Sequence, residues 1–135
     1  MLLNQLSIFL ENESGSLDRV LEVLVEGEIS IRGYCISDTA DFGILRVIVD
    51  NCDKAIEVLR KNSIIASKSC VIALKLNDSP GELHRLISTL YRGGYNIEYS
   101  YSLVSTYIAV RTNDNERACR YLIENNFEIA EADSI

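Results

Sequence analysis

Proline and histidine occur once each in this sequence of 135 residues, and no two of its four cysteines stand in a C-x-x-C spacing. A single proline, with 47% hydrophobic and 24% charged residues, excludes a proline-rich or disordered chain and predicts a compact soluble protein with a core. Cys35, Cys52, Cys70 and Cys119 are scattered, which excludes a zinc ribbon or a thioredoxin motif and leaves reduced structural thiols as the expectation. No apolar run approaches the roughly 20 residues that cross a bilayer. The leading Met1-Leu2-Leu3-Asn4-Gln5 has no basic region, so a cytoplasmic protein without membrane contact is expected. Basic residues are in the minority, 13 against 20 acidic, for a net charge of −7. That balance disfavours the phosphate-tracking surface on which nucleic-acid binding depends.

The single histidine also narrows the chemistry. His84 falls in the first turn of an expected helix, on its solvated surface, and no serine, cysteine or aspartate can be matched with it as a triad. No carboxylates alternate as in a calcium loop, and Gly93-Gly94 closes a helix instead of opening one, so it cradles no phosphate. The sequence therefore points to a protein that is not an enzyme, with no catalytic residue, no metal site and no cofactor.

What is present is a repeat. Sliding the second half onto the first by 66 residues, from Gly15 to Gly81, also pairs Leu17 with Leu83, Arg19 with Arg85, Leu24 with Leu90, Gly27 with Gly93 and Ile31 with Ile97. Farther along the shift becomes 63, from Ala55 to Ala118, with Val47/Val110, Leu59/Leu122 and Asn62/Asn125. The first copy thus carries three extra residues, near Ser37-Asp38-Thr39-Ala40-Asp41. Domains are expected at residues 1–69 and 70–135.

Each copy reads as strand, helix, strand, strand, helix, strand. Leu6, Ile8 and Leu10 alternate with Gln5, Ser7 and Glu11 as in a half-buried strand, although Phe9 breaks the alternation. Leu17, Val20, Leu21 and Leu24 then follow helical spacing up to Gly27. Strands are expected near 29–37, 42–49 and 64–67, with a helix burying Ala55, Val58 and Leu59 between the last two. The second copy repeats the course: a strand over 71–76, a helical stripe of Leu83, Leu86, Ile87, Leu90 and Tyr91, strands near 95–104 and 106–112, a helix with Ala118, Tyr121 and Leu122, and a strand near 127–130. Ser79-Pro80-Gly81-Glu82 has the pattern of a capping box, with Ser79 as the cap.

The βαββαβ order defines an α+β, ferredoxin-like unit with helices on one face of an antiparallel sheet. A unit of this size is marginally stable alone, so the copies are expected to pack side by side. Pairing of their second strands, which lie at sheet edges, would give one continuous sheet of about eight strands.

The strongest local feature is the turn between first strand and first helix, Asn12-Glu13-Ser14-Gly15-Ser16-Leu17 and Asn77-Asp78-Ser79-Pro80-Gly81-Glu82-Leu83. The second turn closely resembles the N-x-P-G-x-L signature of ACT domains, and the first resembles it with serine where that family often has proline. The resemblance extends through Asp41-Phe42-Gly43-Ile44-Leu45-Arg46 and the stretch from Gly94 to Tyr99. Over nearly its full length the chain is similar to free-standing tandem ACT proteins.

In that family the glycine turn of one domain and the second strand of its neighbour line an effector pocket, often for an amino acid. The resemblance therefore implies a ligand site at the two turns, with Tyr34, Cys35 and Ile36 in the second strand of copy one and Tyr99 and Tyr101 in that of copy two. The turns suit a zwitterion. Unpaired N–H groups at a helix start receive a carboxylate, glycine permits close approach, and Glu13, Asp18, Asp78 or Glu82 can receive an ammonium. The plainer reading is that these residues only stabilise helix starts. Tyr95, Tyr99 and Tyr101 are expected to share one face with Ile97, where packing is the simplest account of them.

Two functions follow as expectations. One is a regulatory binder of a small-molecule effector at the domain interface: an amino acid, with an aromatic side chain or histidine suggested by the tyrosines. The other is an assembly module that regulates a partner enzyme and binds no ligand. A homodimer is compatible with either.

Overall fold

The computed structural model describes residues 2–11, 14–38 and 42–135, which fall into two compact units. One spans Asn4–Ser69, and the other comprises Cys70–Ile135 with Leu2 and Leu3. The elements run β1 (Leu2–Glu11), α1 (Ser16–Glu26), β2 (Ile31–Asp38), β3 (Phe42–Val49), α2 (Cys52–Lys61) and β4 (Ala66–Lys75). They continue with α3 (Glu82–Arg92), β5 (Ile97–Ser102), β6 (Tyr107–Thr112), α4 (Asn115–Glu124), β7 (Glu128–Ile129) and a closing 3-10 turn (Ala132–Ser134). Among the described residues there are seven strands, close to the about eight expected. Ser67-Lys68-Ser69-Cys70 offers neither glycine nor proline to break extended backbone, so the two strands expected at 64–67 and 71–76 run together as β4.

In the first unit β3 lies between β1 and β2, antiparallel to both, with Leu6 opposite Val47 and Ile8 opposite Leu45. These four side chains and Leu10 form a core with Val20, Val23 and Leu24 of α1 and Ala55 and Leu59 of α2. Both helices thus cover one face. Phe9, the exception in the alternation, obeys it in space: it points to the opposite face, 57% exposed, with its ring 5.7 Å from that of Phe42. In the second unit β6 lies between β4 and β5, and β7 pairs with β4. Ile72, Leu74 and Val110 pack under Leu86 and Leu90 of α3 and Ala118 and Leu122 of α4. Each unit is ferredoxin-like.

Three expectations change. Among the described residues β2 pairs with β3 and β5 with β6, and the expected pairing of the second strands with each other does not occur among them. On α3 only Leu86 and Leu90 are buried, while Leu83, Ile87 and Tyr91 form an exposed ridge at i, i+4 and i+8, Tyr91 being 81% exposed. The tyrosines of β5 do not share a face with Ile97. The pairing slips between Ile97 (opposite Thr112) and Tyr99 (opposite Arg111), a bulge that turns the following residues over. Tyr95 and Ile97 pack under the helices, whereas Tyr99 and Tyr101 go to the other face with rings stacked 6.4 Å apart. A bulge between Ile31 and Gly33 marks the same place in β2.

The four helices start in two ways. Asn51 caps α2 by accepting from the Lys54 N–H at 3.1 Å, and Asp114 caps α4 by accepting from the Arg117 N–H at 3.2 Å. The N-caps of α1 and α3 are Gly15 and Gly81, at φ +91° and +88°, with no side-chain cap. The capping box expected at Ser79 is therefore not formed: the left-handed glycine delays the helix to Glu82 and takes the cap position itself. Alanine at Asn51 or Asp114 should each cost about 1 kcal/mol in urea unfolding, because one N–H loses its acceptor. Alanine at Ser79 should change stability by less than about 0.5 kcal/mol.

Candidate functional site

The first turn opens into a cleft of about 630 Å³, within the range of about 300–1,000 Å³ typical of small-molecule sites. Three segments meet there. The end of β1 brings Phe9, Leu10 and Glu11; the turn and first helical residues bring Ser14, Gly15, Ser16, Arg19 and Val20; and the connection after α2 brings Ser63, Ile64 and Ile65. The packing of α1 on α2 explains the meeting, because it sets the start of one helix beside the end of the other. Arg19 fastens the junction, its Nη2 donating to the carbonyl of Asn62, the C-cap of α2, at 2.6 Å. A cation there faces the negative end of the α2 dipole.

The cleft presents both signs of charge on an apolar floor. The first bond of α1 runs from the Arg19 N–H to the Gly15 carbonyl at 2.9 Å, so the amides of Ser16, Leu17 and Asp18 have no partner within the helix. Glu11 supplies a carboxylate and Arg19 a guanidinium with donors left over from the Asn62 bond. Such a site can hold a small molecule bearing a carboxylate and an ammonium together.

Of the expected site residues in this unit, Ser14, Gly15 and Ser16 line the cleft, while Leu17 packs against the core. Asn12 and Glu13 lie outside the described residues. Tyr34, Cys35 and Ile36 stand on β2, opposite Val47, Arg46 and Leu45, and do not line the cleft. Glu11, Arg19 and the Ser63–Ile65 segment were not anticipated. Arg19 carried a signal, its match with Arg85 in the repeat, but nothing in the sequence brings residues 63–65 to the turn.

The second turn is built differently. Position 16 is serine, and its repeat equivalent is Glu82. The Glu82 carboxylate receives Arg85 Nε at 2.7 Å and Asn77 Nδ2 at 3.3 Å. The Arg85 hydrogen bond first, then its charge and the Asn77 amide, hold that carboxyl below its ordinary range, so it is ionised at neutral pH. Arg85 also lies over the Phe127 ring, 4.0 Å from its centroid. Asp78, Ser79 and Pro80 are exposed, as is Leu83 on the ridge of α3. Tyr99 and Tyr101 sit on β5, opposite Arg111 and Ala109, and Tyr101 is buried.

Among the described residues the remaining reactive side chains do not assemble into a second site. His84 is exposed on α3, where its Nε2 meets Ser88 Oγ at 3.1 Å. None of the four cysteines forms a disulfide, and burial pushes the Cys52 and Cys119 thiols up, which keeps them protonated. No group of three or more histidine, cysteine or acidic side chains able to hold a metal occurs among the described residues. No helix among them is long and apolar enough to cross a membrane.

A family model described as an ACT domain pair matches residues 1–135. No curated protein matches the sequence. Among solved structures, protein BT0572 from Bacteroides thetaiotaomicron is similar at 36% identity and a TM-score of 0.91, covering 98% of this chain and 94% of that one. The ligand-free regulatory subunit of aspartate kinase from Thermus thermophilus is similar at 18% identity and a TM-score of 0.63, with 90% of each chain covered. Aspartokinase III of E. coli, in complex with lysine and aspartate, is similar at 19% identity and a TM-score of 0.54, covering 93% of this chain and 32% of that one. The last two are similarities of fold.

Proposed function

This chain belongs to the ACT domain pair family, and from that premise we propose that it is a regulatory protein that binds a free amino acid in the cleft of its first unit. The observation that carries the reading is the presence of both Glu11 and Arg19 in the lining of one cleft of about 630 Å³, beside a helix start that no side chain caps among the described residues. The carboxylate goes to Arg19 and the amides that open α1, the ammonium to Glu11, and the side chain to the apolar surface of Val20, Ile64 and Ile65. Two or three charge-assisted hydrogen bonds of roughly 1.5–3 kcal/mol each, less the cost of association, give affinity of about micromolar order. Binding regulates if the ligand has different affinity for two conformations of the protein, whether these are read by a second copy or by a partner enzyme. The reading includes no catalysis: His84 and Ser88 stand on an exposed helix with no carboxylate bonded to the imidazole among the described residues.

Thermal unfolding with each of the twenty amino acids in turn tests the proposal, beginning with lysine and aspartate, the pair bound to aspartokinase III. A ligand at about 100 times its Kd stabilises by about 2.7 kcal/mol, so at least one should raise Tm by about 5 °C or more. The exposed ridge of Leu83, Ile87 and Tyr91 on α3 favours a second reading, an assembly surface for a partner enzyme. That reading takes over if no amino acid moves Tm.

A further inference from the structure

The two turns align residue for residue, yet one holds an internal carboxylate and the other an open cleft. In the second unit both oxygens of Glu82 are engaged, Oε2 by Arg85 and Oε1 by Asn77. In the first unit the matching arginine, Arg19, bonds the Asn62 carbonyl and has no carboxylate partner among the described residues. The difference comes from one position. Serine at 16 is too short to reach the guanidinium as Glu82 does, and its hydroxyl leaves the space beside Arg19 open as cleft.

We infer that Glu82 is a built-in occupant of the second turn, standing where a ligand's carboxylate stands on Arg19 in the first, so that the chain takes up one carboxylate ligand and not two. The second unit supplies the pattern for the first: an arginine in the first turn of the helix, bonded to a carboxylate carried by the residue that follows the glycine. An arginine, a cleft beside it and a repeat in which the same arginine is already satisfied mark the site, independently of the amides that open α1. Glu11, which has the neutral Asn77 as its repeat equivalent, adds the demand for a cation on the same ligand. The inference rests on the amino-acid reading for the ligand's identity, but its central contact can be tested with a bare carboxylate.

The probe is sodium acetate, titrated into the full chain against sodium chloride at matched ionic strength, with the arginine Nε–H signals followed by nitrogen-15 NMR. The Arg19 signal should move saturably with acetate while the Arg85 signal stays in place. Ser16→Glu should weaken the Arg19 response at least about tenfold, by installing the internal carboxylate. Glu82→Ser should make Arg85 responsive. Both positions are half-buried, and an unchanged amide spectrum confirms that each variant folds. An Arg19 signal that ignores acetate, equal movement of Arg85 in the unmodified protein, or an undiminished response in Ser16→Glu would overturn the inference. The amino-acid reading fails separately. If none of the twenty shifts Tm while acetate still moves Arg19, that reading falls and the asymmetry stands; an amino acid binding twice per chain in calorimetry leaves the reading and sinks the asymmetry.

Discussion

Leu59→Ala is expected to destabilise the first unit by about 2–5 kcal/mol, the largest effect of any single truncation proposed for this protein. Leu59 is 0% exposed on α2, in a core with Leu6 and Ile8 of β1 and Leu45 and Val47 of β3. Alanine removes three carbons from a site closed by sheet on one side and by Val20 and Leu24 of α1 on the other. Neighbours held by strand pairing move little, so the lost transfer energy is joined by a cavity cost. Natural domains have only about 5–15 kcal/mol in hand. Urea unfolding followed by circular dichroism should show a lower midpoint at an unchanged slope. Glu57→Ala is the control. Its ion pair with Lys61, 3.3 Å long and mostly in solvent, contributes at most about 0.5 kcal/mol. Equal losses in the two variants would mean that Leu59 does not occupy the core described.

Gly93→Ala should cost about 1–3 kcal/mol, although alanine is the better helix former. A Cβ at Gly93 would lie 2.6 Å from Tyr121 Cε2 and 3.0 Å from Tyr95 Cδ2. The two rings already pack on each other with centroids 5.5 Å apart, so neither can withdraw without disturbing the other. The repeat provides an internal comparison. At Gly27, the equivalent position, the added carbon would meet the Val58 methyls at 3.0 Å, a gap closed by a shift of a few tenths of an ångström. Gly27→Ala should therefore stay within about 1 kcal/mol of the parent. Similar midpoints for the two variants would show that the rings yield freely and that the glycine at 93 is not required by packing.

The same comparison between copies shows how much could be read in advance. The order of elements was legible because each rests on a local signal: alternation in Leu6, Ile8 and Leu10, helical spacing from Val20 to Leu24, and glycine stops at Gly27 and Gly93. The errors arose where local rules compete. Ser79, Pro80 and Glu82 satisfy the pattern of a capping box, but Gly81 can adopt φ +88°, and the helix then begins after it with the Glu82 side chain turned to Arg85. Alternation placed Tyr99 with Ile97, and a bulge of one residue separated them, since no sequence period marks where a ladder slips. Glu11 and Arg19 were visible as charges and illegible as parts of one cleft.

By itself the sequence determined two successive copies of one small α+β unit, the faces that β1, α1 and α2 bury, and the glycine turns that begin α1 and α3. These are properties of near neighbours along the chain, fixed by backbone stereochemistry and by the spacing of apolar residues. Only tertiary structure decided what stands around those turns. The Asn62 carbonyl reaches Arg19 across 43 positions because α1 packs on α2, and Ser63, Ile64 and Ile65 reach the first turn in the same way. Contacts of that kind depend on how elements far apart in the chain are brought together, and no local pattern encodes them.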